Sequence, residues 1–190
     1  MLRKLSLILA AVVLSGTCVV AQAVDWKQFN PSGGNFTIQF PGTPKDANAK
    51  KYVSKRVFNQ HLYMYSDAGK AAYMLQYFDI EENHRKSKSN REWLDGLQER
   101  VSVKANRTLL SNETIRVSGY LARRMVLKDA SKNVFFHAQL VLANNRMYTM
   151  LVVTNSKDSS AAQVRKFIRS FRILSKKSGT PGPSDFQDLK

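Results

Sequence analysis

Between Phe36 and Thr154 the chain repeats one theme: short runs rich in β-branched and aromatic residues, each closed by a turn-forming segment. That succession limits the fold more than any other feature, because strands joined by tight turns pair with their neighbours in the chain and so run antiparallel. The sharpest example is Phe36-Thr37-Ile38-Gln39-Phe40, which alternates apolar and polar residues. It is stopped by Pro41-Gly42-Thr43-Pro44, a segment that cannot continue a sheet ladder. Tyr52 to Tyr65 and Ala72 to Ile80 flank Ser66-Asp67-Ala68-Gly69-Lys70 and read as a hairpin. Arg107 to Val117, Tyr120 to Lys128 and Val134 to Ala143 follow as strands, separated by Ser118-Gly119 and by Asp129-Ala130-Ser131-Lys132. After Asn144-Asn145-Arg146, the apolar run Met147 to Thr154 suits a central strand.

Two segments break the β pattern. Ser89-Asn90-Arg91-Glu92 has the form of a capping box, and Trp93, Leu97 and Val101 then recur at helical spacing, predicting a helix from Asn90 to Val103. Ser160-Ala161-Ala162-Gln163 has the same form ahead of Val164, Phe167, Ile168 and Phe171, predicting a second helix and a short closing strand from Phe171 to Leu174. Asp25 to Gly34, with Pro31 and a Gly-Gly pair, reads as an irregular lead-in. Hairpins interrupted by two helices imply an α+β domain with a central, mainly antiparallel sheet of about six or seven strands flanked by helices.

The first 23 residues read as a secretory signal peptide. Arg3 and Lys4 form a basic start, Leu5 to Val20 is almost wholly apolar, and Ala21-Gln22-Ala23 offers the small residues read before cleavage between Ala23 and Val24. The apolar run is shorter than the roughly 20 residues a membrane span needs. A lipid anchor on Cys18 fits poorly, because Ser15 and Thr17 stand where such a signal carries an aliphatic and a small residue. Cleavage removes the only cysteine, so the exported chain relies on packing rather than disulfides. It also removes two of 30 basic and none of 14 acidic residues, lowering the formal charge from +16 to +14. The division expected is a signal peptide at 1–23, one domain at 24–174 and a flexible Lys-, Ser-, Gly- and Pro-rich tail at 175–190.

Several segments carry a resemblance to a known superfamily. They are Gly34 to Pro44 with its strand and prolines, Val117-Ser118-Gly119-Tyr120-Leu121-Ala122-Arg123-Arg124, Asn145 to Val152, and Phe167-Ile168-Arg169-Ser170-Phe171. Together they resemble the PsbP-like superfamily, and in particular its small exported bacterial members of unassigned role. The resemblance implies an antiparallel sheet flanked by helices and an accessory or interaction role, and it supplies no active-site residues to carry over.

No catalytic motif stands in the chain: there is no Gly-x-Ser-x-Gly segment and no phosphate-cradling glycine loop before a helix. The expectation is therefore a non-enzymatic protein without a cofactor. His61 and His137 fall inside strands, where a histidine is more often packed than catalytic. Asp79, Glu81, Glu82 and His84 crowd one strand end and define the alternative, an enzyme or metal-dependent site. A solvated acidic loop, or one that receives Arg85 or Lys86, accounts for them more simply. Basic residues gather at Lys50-Lys51 with Lys55-Arg56, at Arg85 to Arg91, at Arg123-Arg124 with Lys128, and along Arg165 to Lys177. Arg123, Arg124, Lys128, Arg165 and Arg169 are the candidate anion-binding surface, with Arg165 and Arg169 on one helix face opposite Val164, Phe167 and Ile168. The partner expected is an envelope protein or an anionic envelope component, with nucleic acid a less favoured ligand.

Overall fold

The structure is a computed structural model that describes residues 24–47, 49–53, 56–67, 71–103, 106–129, 131–155, 157 and 161–174. The signal segment with Cys18 and Ala23, Lys55, Ser160 and the tail at 175–190 lie outside the described residues.

Most of the chain builds one large antiparallel sheet. Its strands are β3 (Lys45–Asp46), β4 (Ala49–Val53), β5 (Arg56–Asp67), β6 (Ala71–Asp79), β7 (Thr108–Val117), β8 (Tyr120–Asp129), β9 (Val134–Ala143) and β10 (Arg146–Thr154). They lie in the order β3-β5-β6-β10-β9-β8-β7, with β4 also paired to β5. The β7-β8 hairpin turns through Ser118 at φ 49° and Gly119 at φ 84°, a left-handed pair of residues that matches the twist of the flanking strands and that glycine adopts at least cost. Strand β10 sits in the middle, with Tyr148 opposite both Tyr77 and Val141, as its apolar run predicts.

A second, smaller sheet was not expected. It contains β1 (Lys27–Phe29), β2 (Phe36–Phe40) and β11 (Arg172–Ile173) in the order β1-β2-β11. The strand with the sharpest sequence signal, β2, therefore stands outside the main sheet. The lead-in read as irregular contains β1, whose three residues are too few to display a period. Pro41 and Gly42 end β2 against the large sheet. A Cβ on Gly42 would fall 2.3 Å from the Tyr65 ring, so only glycine allows that approach. The run expected from 52 to 65 is shared by β4 and β5, joined as Val53 opposite Arg56; β-branched and aromatic enrichment marks both legs of a hairpin alike.

Helix α1 (Glu82–Lys86) is a short turn of helix where a loop was expected, and α2 (Asn90–Val101) starts where the sequence predicts. Ser89 Oγ accepts from Glu92 N at 3.2 Å while Glu92 Oε2 accepts from Ser89 N at 2.7 Å, completing the capping box. These bonds hold the Glu92 carboxyl below its ordinary pKa. Helix α3 (Ala162–Ser170) has no such box: its N-cap is Ala161, one residue later than expected. Gln163 is instead taken by the Tyr73 hydroxyl, which donates to its Oε1 at 3.3 Å.

Two apolar clusters fill the layers. On one face of the large sheet, Tyr73, Leu75, Tyr148, Met150 and Val152 meet Phe36, Ile38 and Phe40 of β2 and Phe167 of α3. Phe40 lies edge-on to Phe167 at 5.0 Å, and Phe36 to Tyr148 at 5.7 Å. On the other face, Leu94 of α2 packs with Met125, Leu127, Leu140 and Leu142. Arg146 joins the sheets: Nε and Nη2 hold both oxygens of Asp79 at 2.5 and 2.7 Å, and Nη1 donates to the Gly33 and Gly34 carbonyls at 2.6 and 3.1 Å.

Candidate anion-binding cavity

Successive side chains of a strand point to opposite faces, so the adjacent arginines of β8 part company. Arg123 turns toward α2, where Nη1 pairs with the Asp95 carboxylate and donates to Gln98 Oε1 at 2.7 Å. It is buried and neutralised there, so it belongs to the packing of α2 and not to an anion-binding surface. Arg124 turns toward α3. Its Nη2 donates to Gln139 Oε1 at 3.1 Å, and Gln139 Nε2 in turn donates to the Ile168 carbonyl at 3.4 Å, tying the guanidinium to the helix.

Beside that chain of contacts lies a cavity of about 310 Å³ between α3 and the β7-β8-β9 side of the sheet. Arg124, Arg165 and Arg169 all line it, together with Asn112, Glu113 and His137. Arg165 and Arg169 reach it because burial of Val164, Phe167 and Ile168 fixes the rotation of α3, and Val164 and Ile168 line the cavity beside the two arginines. Three of the five residues expected to form a basic surface thus converge. Lys128 shares Arg124's strand parity but sits over the Phe135 ring at 5.5 Å, outside the cavity.

The charge in the cavity is one-sided. Three arginines line it, and the one carboxylate on the lining, Glu113, lies 3.6 Å from Arg124 and is largely exposed. An exposed pair at that distance is weak and yields readily to a better-placed anion. Three forked donors around a space of this size suit an oxyanion of phosphate or carboxylate type. Glu113 and Gln139 were not singled out from the sequence. Both are cross-strand partners of Arg124, so only the register reveals them.

The alternative acidic site does not assemble. Asp79, at the end of β6, stands opposite Arg146 and is held by it, and the same contact keeps the Arg146 guanidinium protonated beyond its ordinary range. Glu82 and His84 ride α1 instead. Glu82 pairs with Lys86 at 2.6 Å, and the His84 ring lies edge-on to Trp93 at 5.4 Å. Glu81 is engaged as well. Among the described residues no group of three or more His, Cys, Asp or Glu side chains is placed to hold a metal ion. Of the two strand histidines, His61 stacks on Tyr77 at 4.5 Å and His137 is buried in the sheet.

No protein-family model and no curated protein matches the sequence. Among solved structures, cyanobacterial PsbP (CyanoP) from Synechocystis sp. PCC 6803 aligns with a TM-score of 0.57, over 84% of this chain and 99% of that one, at 8% identity. The fold is PsbP-like. A protein of unknown function from Pseudomonas aeruginosa, PA94, described as a putative regulator, aligns more distantly, with a TM-score of 0.42 at 7% identity over 71% of this chain and 86% of that one. At these identities the PsbP-like likeness is one of fold, and the arginine cavity has to be argued from this chain's own residues. Among the described residues no helix is long and apolar enough to cross a membrane.

Proposed function

We propose that the protein is a non-enzymatic, exported accessory protein of the cell envelope that binds an anionic envelope component through the cavity beneath α3. The observation that carries this reading is the convergence of Arg124, Arg165 and Arg169 on one cavity with a single weakly held carboxylate. The signal-type segment before Val24 and the +14 charge left without it support an envelope setting, since that balance draws the protein to anionic surfaces. The absence of any catalytic motif in the sequence supports binding over turnover.

The test is capture of envelope material by the exported protein at low and moderate salt, beside the double variant Arg165→Gln/Arg169→Gln. Both side chains are exposed on α3, so the variant should fold normally. The expected result is one anionic component retained by the wild type, weakened by salt and weakened about tenfold or more by the double change. Retention that ignores the two arginines sinks the reading.

A further inference from the structure

On the opposite face of the large sheet, α2 packs chiefly against β8 and β9. A groove of about 640 Å³ remains between the helix and the strands beyond it, within the size range of small-molecule sites. Its floor runs from Gln60 on β5 across Met74 and Phe78 on β6 and Leu151 on β10 to Leu140 on β9 and Leu127 on β8. Five neighbouring strands at about 4.8 Å spacing make it roughly 19 Å long. The wall is Trp93, Gly96 and Leu97 of α2.

Two features say what fits there. Gly96 stands in the interior of α2, where glycine costs helix stability, and a Cβ built on it meets nothing within 4 Å. Gly96 is exposed and borders the groove, so the wall is low there and a side chain could be added beside the groove without a clash. The lining also holds Lys88, Arg100 and Arg107, while its acids are occupied: Glu92 by the capping box and Glu99 by another contact. The Arg107 guanidinium lies 3.8 Å from the centre of the Phe136 ring, and its Nε is buried with no hydrogen-bond partner among the described residues. A long, mainly apolar channel, with Gln76 and Thr149 among its floor residues, ends at a cation that donates from Nη1 to the Val101 carbonyl at 3.4 Å and keeps Nε unpartnered among the described residues; it suits a chain with an acidic head.

We propose that this groove binds one molecule of a long-chain carboxylate, its alkyl chain along the β5-to-β8 floor and its carboxylate at Arg107. At roughly 30 Å³ per water-sized group, the space holds a chain of about twenty heavy atoms. The proposal is independent of the arginine cavity, which lies on the other face of the sheet.

The chain has two tryptophans, and Trp26→Phe leaves Trp93, in the groove wall, as the sole tryptophan to be excited selectively. Sodium palmitate, added below its micelle threshold to the exported Trp26→Phe protein, should change Trp93 emission saturably at one per chain. Gly96→Leu places a side chain at the edge of the groove and should weaken binding by about tenfold or more without lowering the unfolding midpoint. Arg107→Gln should weaken palmitate about fivefold or more and leave methyl palmitate unaffected. Loss of the saturable Trp93 response in Arg165→Gln/Arg169→Gln would place the palmitate in the arginine cavity and overturn the groove. No saturable response, or equal binding by Gly96→Leu, overturns the groove; equal palmitate binding by a folded Arg107→Gln overturns the carboxylate.

Discussion

Tyr73, Leu75, Tyr148, Met150 and Val152 on one face of the large sheet are sealed beneath β2 and α3 to 2% exposure or less. One position along the same two strands, Met74, Gln76, Phe78, Thr149 and Leu151 remain half-buried on the other face. The strands are the same and so is their alternation; what differs is the cover. A second sheet and a helix close the first face with interlocking rings, whereas a single twelve-residue helix, α2, covers only part of the second. Stability should therefore be concentrated on one side of the sheet, and room for a ligand on the other.

Paired truncations test that division most strongly. Phe36→Ala, at a fully buried ring in contact with Tyr77, Tyr148 and Phe171, should cost about 3–5 kcal/mol in denaturant unfolding. Leu151→Ala on the half-covered face should cost about 1 kcal/mol. Equal losses would erase the contrast.

Alkaline pH probes the closed face next. Burial pushes the Tyr73 and Tyr77 hydroxyls up to about 12, with smaller contributions from neighbouring charges and hydroxyls, Asp67 for Tyr73 and Tyr63 for Tyr77. The folded state holds these protons more tightly than the unfolded chain does. Their contribution is thus complete below about pH 10 and drains as pH rises from there toward 12. Phenolate absorbance from these rings should grow together with loss of tertiary signal. Smooth titration of every tyrosine in a still-folded protein would show that the face is open to water.

Ser89→Ala is the mildest change. It removes one half of the α2 capping box and should cost about 1 kcal/mol, read as a lower unfolding midpoint. A drop as large as that of Phe36→Ala would make α2 as central to stability as the closed face.

Features carried by local chemistry were legible in the sequence. Ser118-Gly119 announced its hairpin, Val134 to Ala143 its strand with both ends correct, and Ser89 with Glu92 the start of α2. What escaped depended on partners far along the chain. The alternation of Phe36 to Phe40 identifies a strand but not its sheet, because β2 acquires its neighbours at Phe29 and Arg172. For the same reason Arg123, Arg124, Lys128, Arg165 and Arg169 read as one surface. Strand parity alone would have set Arg123 apart from Arg124, but placing Arg124 with Arg165 and Arg169 needs the docking of α3 on the sheet.

The small sheet also has a temporal meaning. Its middle strand, β2, bonds on one side to β11, with Thr37 opposite Arg172, and Leu174 N donates to the Asn35 carbonyl at 2.9 Å. A chain that emerges from its N-terminus makes β2 early and β11 at the very end. Phe36 and Phe40 then wait for partners at Phe171 and Phe167 until nearly the whole domain is present, and no shortened chain ending before α3 can bury them as the complete one does. The small sheet is fastened by β2 and β11, strands from opposite ends of the described domain, so that layer cannot close until β11 has arrived.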